Sequence, residues 1–343
     1  MMFFKLKTSR HFYLTGVLLL TLSFATTTEA QTVKLLNSGS KASLRGLSVV
    51  NDDVVWVSGS GGSVGRSIDG GETWAWTTVK GFDKIDFRDI EAFDKNTAII
   101  MGIADPAYIL KTTDGGQNWR VVFKDTTRGM FLDAMEFWNE QSGIVIGDPL
   151  GDKIFIARTF DGGENWQGLA AANIPTADKG EAFFASSGTN VRKLSKQEPV
   201  FVSGGLRARL FIWDKKIDLP IIQGKESTGA NSLAVKSKKC LVVVGGDFNA
   251  KDDTTKNCVI TTDGGETFTE PVVSPHGYRS CVEYLGKTNW ISCGLNGVDH
   301  STDEGQHWAW ISKESFHAVR KAKKGKAVYF SGGGGRIGKL VWE

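Results

Sequence analysis

Three arginines sit in matching short phrases: Leu44-Arg45-Gly46, Phe87-Arg88-Asp89 and Tyr278-Arg279-Ser280. A guanidinium offers a planar fork of donors that grips a carboxylate through two parallel hydrogen bonds, so three converging arginines would form an anion clamp. Carboxylates occur in similar settings, with Asp133 in Phe131-Leu-Asp133 and Glu181 in Gly180-Glu181-Ala182. Asp148, Asp247 and Asp299 close the phrases Gly147-Asp148, Gly245-Gly-Asp247 and Asn296-Gly-Val-Asp299, and His317 follows Phe316. One chemistry these residues fit is glycoside hydrolysis of an anionic sugar. There Tyr278 with Glu283 or Glu181 would serve as nucleophile and partner, and Asp133 or Asp148 as acid. Another is plain binding of an anion or carbohydrate without turnover. The bland alternative is that Arg and Asp pair with one another and hold the fold together.

Other chemistries lack their signatures. The chain has no Gly-x-Ser-x-Gly, no phosphate loop and no dinucleotide fingerprint after a strand, and its five histidines are scattered. The glycine run at 332–335 has a hairpin context. Asp247-Phe-Asn249-Ala-Lys-Asp252-Asp253 lacks the alternation and closing Glu of a calcium loop. The sequence therefore assigns no metal and no cofactor, and it identifies no catalytic constellation.

The elements that must position these residues are announced by an eight-residue phrase. It reads Ser67-Ile-Asp69-Gly-Gly-Glu-Thr-Trp74, and returns around Asp114, Asp161, Asp263 and Asp303. The aspartates are 45, 47, 102 and 40 residues apart, so the long gap holds two units and one has lost its phrase. Leu210-Phe-Ile-Trp213-Asp214 reads as the relic. With a last unit that stops before its phrase, the count is seven units of propeller length. Each unit reads as four short strands; in the second these are residues 88–93, 97–103, 107–112 and 119–124. The reading is all-β: a seven-bladed β-propeller of four-stranded blades, its ring closed when Thr32-Val-Lys-Leu-Leu36 supplies the outer strand of the last blade. Closure removes unpaired edges. The repeated aspartates accept turn N–H groups and are structural.

The phrase resembles the Asp-box, S/T-x-D-x-G-x-x-W, of sialidases and other propellers. In that architecture the a–b and c–d turns share one face and the d–a and b–c loops the other. The ten candidate ligand-binding residues fall on the second face, at the starts of the a strands (Arg45, Arg88, Asp133, Glu181, Tyr278, Arg279, His317) and in b–c loops (Asp148, Asp247, Asp299). Five further phrases resemble a bacterial family of exported seven-bladed propellers related to the photosystem II stability/assembly factor group. They are Gly180-Glu-Ala-Phe-Phe-Ala-Ser-Ser-Gly-Thr-Asn190, Gly245-Gly-Asp-Phe248, Gly277-Tyr-Arg-Ser280, Gly297-Val-Asp-His-Ser301 and Gly335-Arg-Ile337. The resemblance implies a non-catalytic binding or assembly role with a protein partner, through the channel face opposite the Asp-boxes. Members also carry the labels oxidoreductase and glycosyl hydrolase; the first rests on that label alone.

Residues 1–30 read as a secretory signal peptide. Lys5, Lys7 and Arg10 precede an apolar stretch at 12–25, and Thr28-Glu-Ala30 is a small-x-small cleavage site. Residues 31–343 then form one exported domain, periplasmic or extracellular, with no membrane span and monomeric. Removing the leader takes the formal charge from +3 to about +1, which argues against nucleic acid as a partner. Lys321-Ala-Lys-Lys324-Gly-Lys326 reads as a solvated turn. Export favours disulfides, and the two hairpin-flanking pairs are Cys240 with Cys258 and Cys281 with Cys293.

Overall fold

The structure is a computed structural model that describes residues 1–3, 5, 31–196, 198–212 and 215–342. The signal-peptide reading and the relic pair Trp213-Asp214 lie largely or wholly outside the described residues. Seven antiparallel sheets stand around a central axis, six of them ordered a-b-c-d from the inside out. Blade one is typical, with strands Leu44–Val49, Val55–Gly59, Ser63–Ser67 and Ala75–Thr78. Strands b are almost wholly buried, as in Val55–Gly59 and Ala98–Gly102, because they lie between neighbouring blades. The core is accordingly a set of interblade clusters. Trp56 and Val64 of blade one pack with Ile90, Ile100 and Leu110 of blade two. Blade five keeps strands a to c and reduces strand d to a single bridge, Ile260 with Thr269.

The ring closes as the sequence implies. Gln31–Leu36 pairs antiparallel along all of Ile337–Trp342, so the first strand completes the last blade. Each Asp-box is a self-contained turn. In the first, Ser67 Oγ donates to Asp69 Oδ1 (2.8 Å), Gly71 N donates to Ser67 Oγ (2.8 Å) and Thr73 N to Asp69 Oδ1 (2.9 Å). The two glycines have φ of 72° and 89°, a region closed to most side chains. These donors pull the carboxyls of Asp69, Asp114 and Asp161 down to about 2. The turn's contribution is therefore present above the ordinary carboxylate range and is lost as pH falls through about 2. Asp114→Ala is expected to lower the melting temperature at neutral pH, since Asn118 N and Nδ2 then lose their acceptor. An unchanged thermal midpoint would remove the aspartate from its structural role.

Two expectations change. The four cysteines are free thiols. Cys258 lies opposite Val244 whereas Cys240 precedes Leu241, whose partner is Thr261, so the ladder register parts that pair. Cys281 and Cys293 are opposite each other and their thiols hydrogen-bond without being linked, while the Cys281 thiol also bonds Val319 O (3.4 Å) and accepts from Val319 N (3.3 Å) of blade seven. The second change concerns the blade without a box. Its strand a is Val191–Lys193, and Glu181–Ala182 instead pairs with Gly204–Gly205, which reaches blade five through Gly229. The chain between them lacks β-branched alternation and does something else.

Candidate functional site

That intervening segment, residues 183–190, crosses the central axis. Phe183 N donates to Asp148 of blade three (2.8 Å), and Arg45 Nη1 of blade one donates to Ser186 O (3.2 Å). Ser187 Oγ donates to Ser280 O of blade six (2.7 Å), and Thr189 Oγ1 to Ser232 Oγ of blade five (2.6 Å). Arg320 Nη2 of blade seven holds the carbonyls of Ser187 and Gly188 at 3.0 and 3.2 Å. Gly188, at φ 65°, lies against the Asp89 carboxylate of blade two, where a Cβ would not fit. Contact with all six other blades is possible only on the axis. The segment thus divides the channel into two blind cavities.

The cavity on the d–a and b–c face has a volume of about 460 Å³ and contains Arg45, Arg88, Asp148, Tyr278 and His317 among its walls, with Phe131, Phe184 and Phe248. Register explains why these side chains converge. The a–b ladders shift by one residue at Arg45, Arg88, Asp133 and Asn231, leaving each as the extra residue of a β-bulge. A bulge re-aims a side chain from the sheet, here toward the axis. His317 occupies the matching place in blade seven, its N–H bonded to Ser331 O beside the Ala318–Ser331 pair. In blade six that place belongs to Ser280, whose N–H bonds Cys293 O.

Arg279 is therefore one residue out of register, and a one-residue offset sends a side chain to the opposite side. It is fully buried inside blade six, donating through Nε to Asp299 Oδ2 (2.6 Å), through Nη1 to Tyr278 O (2.9 Å), and through Nη2 to Asp299. Asp299 also accepts from His276 Nδ1. The third arginine of the expected clamp and one of its carboxylates are consumed by each other. Glu181 is likewise buried, accepting from Arg209 Nε (2.9 Å) and Ser203 Oγ (2.5 Å). Asp247 lies outside the cavity, with Lys225 Nζ at 3.5 Å and the Asn249 N–H on Oδ1.

The glycosidase grouping is not assembled. Tyr278 donates its hydroxyl to Asn231 Oδ1 (2.8 Å), and burial pushes its pKa up to about 12. Glu283 lies in the other cavity, bonded to Arg192 at 2.7 Å. What remains at the mouth is an electrostatic contrast. Arg88 has Asp86 at 2.8 Å, but Arg45 forms no salt bridge among the described residues. Burial, with Arg88 beside it, lowers the pKa of Arg45. Burial and the two arginines hold His317 neutral, its pKa down at about 3. Asp148 is raised to about 6 by burial, and Asp133, wholly buried beside Asp148, is raised well above the carboxylate range. Asp148 faces Arg45 and Arg88 there and loses its charge only below about pH 6, so the mouth carries both signs near neutral pH and turns positive as pH falls, within aromatic walls.

The opposite cavity is larger, about 840 Å³, and several of its charges are paired with one another. Arg192 is shared by Glu283 and Glu136 (3.6 Å), and Lys323 Nζ bonds Glu91 (2.6 Å) and Ala92 O (2.7 Å). Sequence reasoning missed the axial segment as an axial element, the bulge residue Asn231 and its counterpart Ser280, and Arg192 and Arg320. A ladder frame counted from the glycines ending strand b, at 59, 102 and 147, would have found the bulge series.

Residues 25–129 match a family model described as photosynthesis system II assembly factor YCF48. A search of curated proteins finds no match. Among solved structures, one described as YCF48 bound to D1 peptide is similar at a TM-score of 0.66 and 19% identity, covering 91% of this chain and 97% of that one. YCF48 from Cyanidioschyzon merolae follows at 0.64 and 16%, covering 90% and 98%. The WD40 propeller domain of Doa1 gives 0.60 and 13%, with 91% and 97% covered. At these identities the structural likeness speaks for the fold. The chain is thus a seven-bladed propeller related, through residues 25–129, to the photosystem II assembly factor family.

Proposed function

We propose that this protein is an exported, monomeric, non-catalytic binding propeller of the cell envelope, which captures an anionic segment of a protein partner at the channel mouth opposite its Asp-box turns. One observation carries the reading: Arg45 is mostly withdrawn from water, lacks a carboxylate partner among the described residues, and lines a cavity with Arg88 and four phenylalanines. A buried cation without a counter-charge is costly unless a ligand supplies one. The axial segment makes the mouth a blind pocket, which suits end-on insertion of a side chain or chain segment rather than threading. The solved relative fold bound to D1 peptide supports a protein partner, and the basic-apolar-small pattern of residues 1–30 supports export.

Arg45→Ala combined with Arg88→Ala is expected to weaken partner capture by about tenfold per arginine, the worth of a hydrogen bond to a charged group. The melting temperature should drop only by about what one hydrogen bond is worth, because Arg45 donates to Ser186 O but neither residue holds an interblade ion pair. The check is quantitative cross-linking in envelope preparations carrying either protein. Recovery of the same partners in the same amounts would move the site elsewhere.

A further inference from the structure

The face opposite the proposed site is divided electrically. Between strands a and b, blade four carries Lys193 and Lys196, and blade five carries Lys236, Lys238 and Lys239. Blade six adds Lys287, and the turn of blade seven runs Lys321-Ala-Lys-Lys324-Gly-Lys326. Against these ten lysines the same four turns hold one acid, Glu198. The corresponding turns of blades one to three hold Asp52, Asp53, Asp94 and Glu140 against a single lysine, Lys95. The c–d turns of blades five and six, with Asp263, Glu266, Asp303 and Glu304, reduce the positive half without cancelling it. Most of these lysines are exposed, and Lys196, Lys239, Lys287, Lys324 and Lys326 form no salt bridge among the described residues.

The chain enters the ring on this same face. Strand d of a blade starts at the c–d side, and Gln31, the first residue of the closing strand, pairs with Trp342 at the end of strand c of blade seven. The chain therefore enters the ring on the face that carries the lysines of blade seven. Trp342 is 47% exposed there, and tryptophan favours the boundary between water and lipid.

We infer that the lysine-bearing half of this face rests on an anionic lipid surface, the ring tilted onto blades four to seven. The lysines are spread over a broad arc rather than gathered in a groove, and are compact, flexible point charges rather than the rigid forks that read individual phosphates. Such an arc suits a diffuse sheet of negative headgroups, each lysine near the surface adding about fivefold to partitioning. A membrane reached by the leader would meet this half first, and the candidate partner-binding mouth would face away from it. The inference does not depend on what that mouth binds.

The test uses the chain from Gln31 onward, which carries every strand and every core cluster of the ring. It is sedimented with vesicles of pure phosphatidylcholine and of equimolar phosphatidylcholine and phosphatidylglycerol. Partitioning is expected only into the second kind, falling away as salt screens the charges. Lys236→Gln with Lys238→Gln and Lys239→Gln should lose about a hundredfold, three such increments together. Lys80→Gln with Lys84→Gln and Lys179→Gln, on the other face, should lose little. Absence of partitioning at low salt, equal loss in both triple variants, or binding to duplex DNA in place of vesicles would each overturn the assignment.

Discussion

An Asp299→Ala variant is expected to unfold about 3–5 kcal/mol more easily than the parent, the cost of stranding one member of a buried ion pair. Asp299 and Arg279 are both completely withdrawn from solvent. Without the carboxylate, the guanidinium keeps only Tyr278 O and Asn296 Oδ1 as acceptors, and the His276 ring loses its partner at 2.6 Å. Replacing both charges with apolar residues of similar size should recover much of the loss, because the pair's Coulomb gain is largely offset by its desolvation. Urea midpoints of the single and double variants check this. A cost under about 1 kcal/mol for Asp299→Ala, as at exposed pairs, would mean that Arg279 is free to reach a ligand after all.

The second large effect is an unusual pH profile. Burial raises Asp89 from 3.8 to about 7, although Met135 N and Ile90 N donate to it at 2.8 and 2.9 Å. Asp148 rises to about 6 for the same first reason. A carboxyl whose pKa is higher folded than unfolded contributes stability that is complete below the unfolded value and is lost as pH climbs through the folded one. For Asp89 the difference corresponds to a linked free energy on the order of 4 kcal/mol. The Asp-box carboxyls work oppositely, losing their contribution only as pH falls through about 2. Stability should therefore peak near pH 4 and fall until Asp89 is ionised at about 7, with His317, held neutral down to about 3, offsetting part of the fall. Asp89→Asn, which keeps an acceptor for one N–H, should flatten that decline. Urea midpoints at intervals across the range would show it; a wild-type curve that is level from pH 4 to 8 would place Asp89 in a wetter site than the geometry describes.

The two effects meet in what the sequence could and could not reveal. The propeller was legible because Asp-box turns are local devices: Asp69, Gly70, Gly71 and Trp74 act on one another within eight residues, and their recurrence counts the blades. Closure by Thr32–Leu36 was legible for the same reason, since the last unit visibly lacks one strand. The site was only half legible. Arg45 and Arg88 occupy true bulges and do meet at the channel mouth, with Asp133, Asp148 and His317 around them. Arg279 looks alike in its tripeptide but is offset by one position, and the register of a ladder between strands a and b is not written in a tripeptide. Glu181 was misplaced because the boxless blade offers no phrase from which to count. Its flanking segment, 183–190, is held by carbonyl contacts from arginines on blades one and seven, and main-chain acceptors leave no trace in side-chain identity. The Cys240–Cys258 pairing failed on register as well.

The central claim is that the arginine-bearing, aromatic-walled, blind mouth holds an anionic part of a protein. The most direct measurement is fluorescence anisotropy of a panel of labelled peptides, matched in length and differing in the number and position of Asp and Glu residues, against wild type and Arg45→Ala. The account predicts that binding tracks the anionic residues, is displaced by salt, and weakens about tenfold in the variant, which loses its bond to Ser186 O but stays folded at the assay temperature. Peptides that bind equally well to both proteins, or that bind without regard to their charge, would contradict it.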